Sequence, residues 1–215
     1  MKIAVIGSGI SGLSAAYYLS KKYKVDLFEQ EDYFGGHSYT YDIKNQKKTI
    51  PVDLGFIVFN ELTYPNLLNF FKELEVPFEK SDMSFAVSIQ GSNIEYGGRG
   101  LKAIFANKSN IFNFNFLKMI IEIVSFYKNA PLLIKNNLDG ETLGSYLDKS
   151  NFSKYLVEYH IIPMVAAIWS MPFSKARDIP LKLFLNFFIN HGLFKLKNRP
   201  QWYTVTGRSR TYVKK

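Results

Sequence analysis

The chain has 215 residues, 47% hydrophobic and 16% aromatic, which suits a packed core and argues against disorder. It has no cysteine, which excludes disulfides, thiolate nucleophiles, iron–sulfur ligation and a flavin tethered through sulfur. The net charge of +9 comes from scattered lysines without any nucleic-acid module signature, so no nucleic-acid partner is expected. His37, His160 and His191 are the only histidines, and none lies near a carboxylate at ligand spacing, so no metal site is expected.

Ile3-Ala4-Val5-Ile6 is a short apolar run of the kind that forms a strand buried on both faces. Gly7-Ser8-Gly9-Ile10-Ser11-Gly12 follows at once. Leu13, Ala16, Tyr17 and Ser20 then recur at helical spacing, with small Ser14 and Ala15 where a helix would lie close to a sheet. Val25, Leu27 and Phe28 make a second strand, closed by Glu29. In such a βαβ unit Gly7 permits the tight turn, Gly9 lets a pyrophosphate approach the backbone, and Gly12 lets the helix pack on the strand. The phosphates would meet unpaired N–H groups along Ser8, Ile10 and Ser11 at the helix N-terminus. Glu29 is placed to accept the ribose hydroxyls and would repel a 2′-phosphate, which argues against NADP. These residues do not separate NAD from FAD. Ser11 also sits at a strand-to-helix turn, but the G-x-S-x-G elbow and a His–Asp pair are missing, so it is not read as a nucleophile.

The stretch from Glu29 to Gly35-Gly36-His37 resembles the extended dinucleotide motif of the flavin-containing amine oxidase superfamily, which includes amine oxidases, protoporphyrinogen oxidases and phytoene-type desaturases. That resemblance implies FAD, with Gly35, Gly36 and His37 beside its diphosphate and ribityl. His37 occupies the position where a basic residue usually follows, and Tyr33 the position where an arginine is often found. Pro51-Val52-Asp53-Leu54-Gly55-Phe56-Ile57-Val58-Phe59-Asn60 is similar to the family's aspartate-x-glycine segment, which implies that Asp53, Gly55 and Phe56 pass near the flavin. By residue type alone, Asp53 reads as a strand-end or turn carboxylate. Pro163–Pro172 and Arg199-Pro200-Gln201-Trp202 resemble a bacterial FAD-dependent branch of the same superfamily.

Further along, Thr63 is expected to cap a helix with Pro65 in its first turn, carrying Tyr64, Leu67, Leu68, Phe71 and Leu74 on one face. Ser84–Ile89 and Ile94–Tyr96 read as a β-hairpin, and residues 116–129 and 180–191 as helices with narrow polar stripes. Such helices suit core burial, the wall of a substrate chamber, or a surface resting on lipid. Trp169 and Trp202 are read as core residues, His160 as a helix-face residue, and His191 as a helix end before Gly192. Gln201–Val205 reads as a strand, Gly207 as a turn, and Ser209–Tyr212 as a helix start. Arg208 replaces the second glycine often seen in the family at that turn.

The expected fold class is therefore α/β: a Rossmann-like FAD-binding βαβ unit with an inserted, mostly helical substrate domain, incomplete. Residues 1–62 are assigned to the FAD domain, 63–200 to the substrate or lid region, and 201–215 to the return. The resemblance implies the N-terminal portion of a longer FAD-dependent oxidoreductase removing hydride from a C–H or C–N bond of an apolar, lipid-like small molecule. No catalytic side chain is assigned, and no oligomeric state is specified. An NAD-binding dehydrogenase and a non-catalytic membrane-surface fragment are the alternatives. The apolar start is too short for a secretory signal, and no stretch reaches the roughly 18–20 apolar residues of a spanning helix, so a cytoplasmic location is expected, with peripheral membrane contact left open.

Overall fold

The computed structural model describes all 215 residues. The nine strands are β1 (Lys2–Ile6), β2 (Lys24–Phe28), β3 (Thr40–Asn45), β4 (Lys48–Asp53), β5 (Phe59–Asn60), β6 (Phe78–Ser81), β7 (Ala86–Ser88), β8 (Glu95–Gly97) and β9 (Trp202–Val205). The helices run from α1 (Ile10–Ser20), α2 (Pro65–Glu73), α3 (Leu101–Ile104) and α4 (Phe114–Asn129) to α5 (Leu143–Lys149) and α6 (Lys154–Leu156). They continue with α7 (Ile162–Trp169), α8 (Phe173–Ala176), α9 (Leu181–Asn190) and α10 (Arg210–Val213). Two compact units divide the chain, Met1–Met83 with Pro200–Lys215, and Ser84–Arg199.

In the first unit β1 and β2 pair in parallel, Lys2 opposite Lys24 through Ile6 opposite Phe28, with α1 as the crossover. This is the expected βαβ unit. Burial of β1 on both faces is not found: Ile3 and Val5 are half-buried, whereas Ala4 is exposed and Ile6 is 79% exposed. A two-stranded sheet with the crossover helix packed on one side has nothing against its other side. β3 and β4 form an antiparallel hairpin, and β9 lies between β5 and β6. The unit's core is Phe59, Phe70, Phe71, Val76, Val205 and Tyr212, with Phe59 meeting Phe71 edge-on at 5.3 Å. Because α2 supplies Phe70 and Phe71 to this core and β6 pairs with β9, residues 63–83 belong here rather than to the helical region assigned from sequence.

Thr63 does not cap α2. The cap residue is Tyr64, which makes no side-chain cap bond, with Pro65 opening the helix as expected. Asn60, fully buried, instead accepts the amides of Leu62 and Thr63 at 2.9 Å and the Thr63 hydroxyl at 3.1 Å. This arrangement aims the chain into α2.

The second unit is the expected hairpin, β7 with β8, followed by helices around one apolar core. Phe116, Met119, Leu143, Leu156, Val165, Leu181, Phe184, Leu185 and Phe188 are fully sequestered there. Trp169 packs at 4.7 Å from the Phe187 ring, in keeping with a core role. His160 is not a plain helix-face residue. It sits buried in a π-turn, Val157–Ile161, joining α6 to α7. Its Nδ1 lies 2.9 Å from the Tyr96 hydroxyl and its Nε2 2.9 Å from the Tyr127 hydroxyl. No helix of the protein is long and apolar enough to cross a membrane.

Candidate functional site

The site forms where β1 turns into α1. Gly7 has φ +86°, a conformation open to glycine, and its amide donates to Phe28 O at 2.7 Å, so the turn is locked to the end of β2. A Cβ placed at Gly12 would lie 1.8 Å from Gly7 O. The close approach of helix to strand thus requires glycine at this position. At Gly9 a Cβ would meet no atom within 4 Å, because this residue faces open space. The first intrahelical bond runs from Leu13 N to Gly9 O, leaving the amides of Ile10, Ser11 and Gly12 ahead of the ladder at the positive end of the helix.

Gly35 and Gly36, distant in sequence, meet this turn. Gly35 N donates to Ser8 O at 3.0 Å and to Ser8 Oγ at 3.1 Å, and Gly9 and Gly35 form an isolated parallel bridge. Gly36 has φ +55°, and a Cβ there would lie 3.1 Å from Gly9 Cα. The two glycine segments border one cavity of about 540 Å³, a volume ordinary for a small-molecule site. Gly7, Gly9, Ile10, Ser11, Gly12, Gly35, Gly36, His37 and Phe56 all line it.

Other expected site residues lie behind that wall. Ser8 is fully buried; its amide donates to Glu29 Oε2 at 2.7 Å, and its hydroxyl donates to the same oxygen. Glu29 Oε1 accepts Gln30 N at 2.7 Å and Glu31 N at 3.1 Å. These bonds, led by the Ser8 hydroxyl, hold the Glu29 carboxyl down to about 2, so it is an anion at any ordinary pH. Asp53 does not line the cavity. Its buried carboxylate accepts the Thr40 hydroxyl at 2.6 Å and the Ser209 amide at 3.1 Å, clamping the end of β4 to the start of α10. This is the strand-end role its residue type suggests. Gly55 is a packing glycine: a Cβ there would lie 2.2 Å from His37 O, which also accepts Phe56 N at 2.8 Å. Arg208 takes φ +77°, the left-handed conformation a second glycine would adopt freely. Its Nε donates to Pro51 O at 3.1 Å, an anchor that glycine would lack.

Ile6, Ser38, Tyr64, Leu67 and Tyr212 complete the cavity wall, and the sequence does not mark them as site residues. The Tyr212 hydroxyl donates to Ser38 Oγ, closing the cavity with an aromatic face. Helical spacing marks Leu67 as apolar, but only the packing of α2 and α10 shows where it points.

Residues 5–74 match the NAD(P)-binding Rossmann-like domain family. Over 50 residues the chain is 50% identical to prenylcysteine oxidase 1 of Homo sapiens, covering 21% of this chain and 10% of that protein. It is 38% identical over 82 residues to the 1-hydroxycarotenoid 3,4-desaturase of Flavobacterium sp. (strain P99-3), covering 36% of this chain and 15% of the relative. Its fold superposes on cyclohexylamine oxidase from Brevibacterium oxydans IH-35A with a TM-score of 0.67 at 17% identity, over 98% of this chain and 47% of that one. The chain thus spans under half the length of each of these proteins. The domain match covers the glycine turn and α2, the matched relatives share short stretches of sequence, and the fold is similar to that of amine oxidases, so the chain contains an NAD(P)-binding Rossmann-like segment and is similar to FAD-containing amine oxidase-like proteins.

Proposed function

We propose that the chain supplies the dinucleotide-holding part of an FAD-dependent oxidoreductase acting on a small, lipid-like molecule. The supporting observation is the meeting of Gly35-Gly36 with the Gly7–Gly12 turn over one cavity. A G-x-G-x-x-G turn alone serves NAD as well as FAD, and the reading of FAD is supported by the resemblance of the second glycine pair to the flavin-containing motif. The fit is good where the backbone is concerned: Gly9 leaves room for a diphosphate, and the unpaired amides opening α1 face it. Glu29 keeps its charge and would orient the ribose hydroxyls once the Ser8 hydroxyl yields part of its hold. Phe56, Tyr64, Leu67 and Tyr212 give the cavity an apolar side. Bound FAD would supply the hydride acceptor for a substrate C–H or C–N bond. The lipid-like substrate class rests on the relatives named for a prenylcysteine and a carotenoid.

The test is a fluorescence titration of the purified chain with FAD, FMN and NAD. FMN lacks the adenosine half that the turn, α1 and Glu29 would recognise. FAD should therefore bind at least about tenfold more tightly than FMN. Equal affinity for FAD and FMN would remove the glycine turn from cofactor recognition, and tighter binding of NAD would favour a nicotinamide dehydrogenase.

A further inference from the structure

We propose that the unit Ser84–Arg199 docks on an anionic lipid surface through the corner built by α3, the Lys108–Phe112 turn and the first half of α4. Phe112 and Phe114 are each 88% exposed, with Leu101 at 74% and Ile121 at 70%. Single exposed apolar residues are ordinary; this many large ones between Leu101 and Ile121 are not.

The exposure is built in. The turn buries Asn110 while its neighbours Ile111 and Phe112 point outward, the reverse of the usual sorting. Asn110 Nδ2 donates to Glu95 O at 3.1 Å, and Asn107 Nδ2 donates to Asn93 O at 2.7 Å, pinning the turn to the β7–β8 hairpin. Asn113 caps α4 by accepting Phe116 N at 3.1 Å, and Phe105 meets Phe116 at 6.2 Å. The polar side chains and the inward Phe105–Phe116 pair thus hold the scaffold, while Phe112 and Phe114 face out. Along α4 the exposed stripe is Phe114, Lys118, Ile121, Ser125 and Lys128.

Charge selects the occupant. Between Glu95 and Glu122 the chain carries Arg99, Lys102, Lys108 and Lys118, all exposed, and no acidic residue. Glu122 is itself engaged, accepting Ser153 N at 3.1 Å and lying 3.8 Å from Lys118. Exposed aromatic residues interspersed along the chain with exposed cations match an anionic bilayer, whose headgroups attract lysine and whose acyl boundary takes up phenylalanine. This inference does not depend on the cofactor, so its failure and that of the FAD reading are separable.

The test is co-sedimentation of the full 215-residue chain with vesicles of phosphatidylcholine alone or with about one third phosphatidylserine. Binding should require the anionic lipid and weaken with salt. The double variant Phe112→Ser/Phe114→Ser and the double variant Lys102→Glu/Lys108→Glu should each lower the partition coefficient about tenfold or more. Because these side chains are exposed, neither pair should change the melting temperature, and a large drop would contradict the exposure and the proposal with it. Phe114→Trp should keep binding and shift its emission to the blue on anionic vesicles only. Equal binding to neutral vesicles, wild-type binding by the Ser variant, or loss of self-association in that variant without vesicle binding by the parent would overturn it. The last result would make this corner an interface between copies of the chain.

Discussion

Gly12 and Gly9 are both glycines of one motif, yet opposite physics holds them. Gly12→Ala would drive a methyl into Gly7 O, forcing α1 off β1, and should destabilise the protein by about 1–3 kcal/mol in urea unfolding. Glu29→Ala would remove the proposed acceptor for the ribose hydroxyls, and FAD affinity should fall about tenfold or more in the same titration format used for the cofactors. The depressed Glu29 value also has a sign. Its stabilisation is complete above the ordinary 4.5 and is lost as pH falls through about 2. His160 works in the same sense from a different cause: burial, with the Arg199 cation adding to it, drops its value from 6.5 to about 3. The buried ring is neutral and bridges Tyr96 and Tyr127, so its contribution is whole above 6.5 and is lost as pH falls toward 3. His160→Gln should flatten the acid limb of a melting temperature–pH curve across that window, whereas an unchanged limb would contradict the bridge. The turn and packing roles of Gly7 and Gly12 were legible because they are backbone roles fixed by spacing, whereas the hold of Glu29 on Ser8 was not expected. The His160 bridge was not legible, since its partners lie 64 and 33 residues away and no periodicity links them.

Among the elements, α4 and the β7–β8 hairpin followed their hydrophobic periods, whereas β3–β4 carried no readable signal. Its turn is Gln46-Lys47, without the glycine or asparagine that marks a hairpin, and Pro51 inside β4 argues against a strand. Residue type suggested the strand-end role of Asp53, but its partner was not legible, because the clamp to Ser209 closes across 156 residues. The narrow polar stripe of α4 pointed to burial over most of its circumference. The helix does bury Phe116, Met119, Phe126 and Tyr127, but Ile121 on the outer stripe is exposed. Ile123 is partly buried against the core of its unit, so Ile123→Asp should place an unpaired carboxylate there. A fall of several degrees in melting temperature is the expected result, and no fall would show that this face carries no packing.

For the molecule as a whole, β1, β2 and the loop after β2 leave apolar groups uncovered: Ile6 at 79%, Phe28 at 53% and Phe34 at 55% exposure. An open parallel pair with such faces is prone to association. The elution volume of the purified chain should move toward larger species as concentration rises, and a constant monomeric volume would contradict this. The resemblance at the glycine turn was legible because its motif is local, while the cavity wall of Tyr64, Leu67 and Tyr212 needed the assembled fold. The central claim is that Gly9 is a glycine for the sake of a bound diphosphate and not for folding. Gly9→Asn separates the two. Asparagine suits the helix N-cap position, its φ of −62° and ψ of 175° are open to any residue, and its Cβ would meet nothing of the protein. Measured side by side, the variant should keep the wild-type melting temperature within a few degrees and lose FAD binding by about tenfold or more. Wild-type affinity for FAD in a folded Gly9→Asn protein would contradict the account.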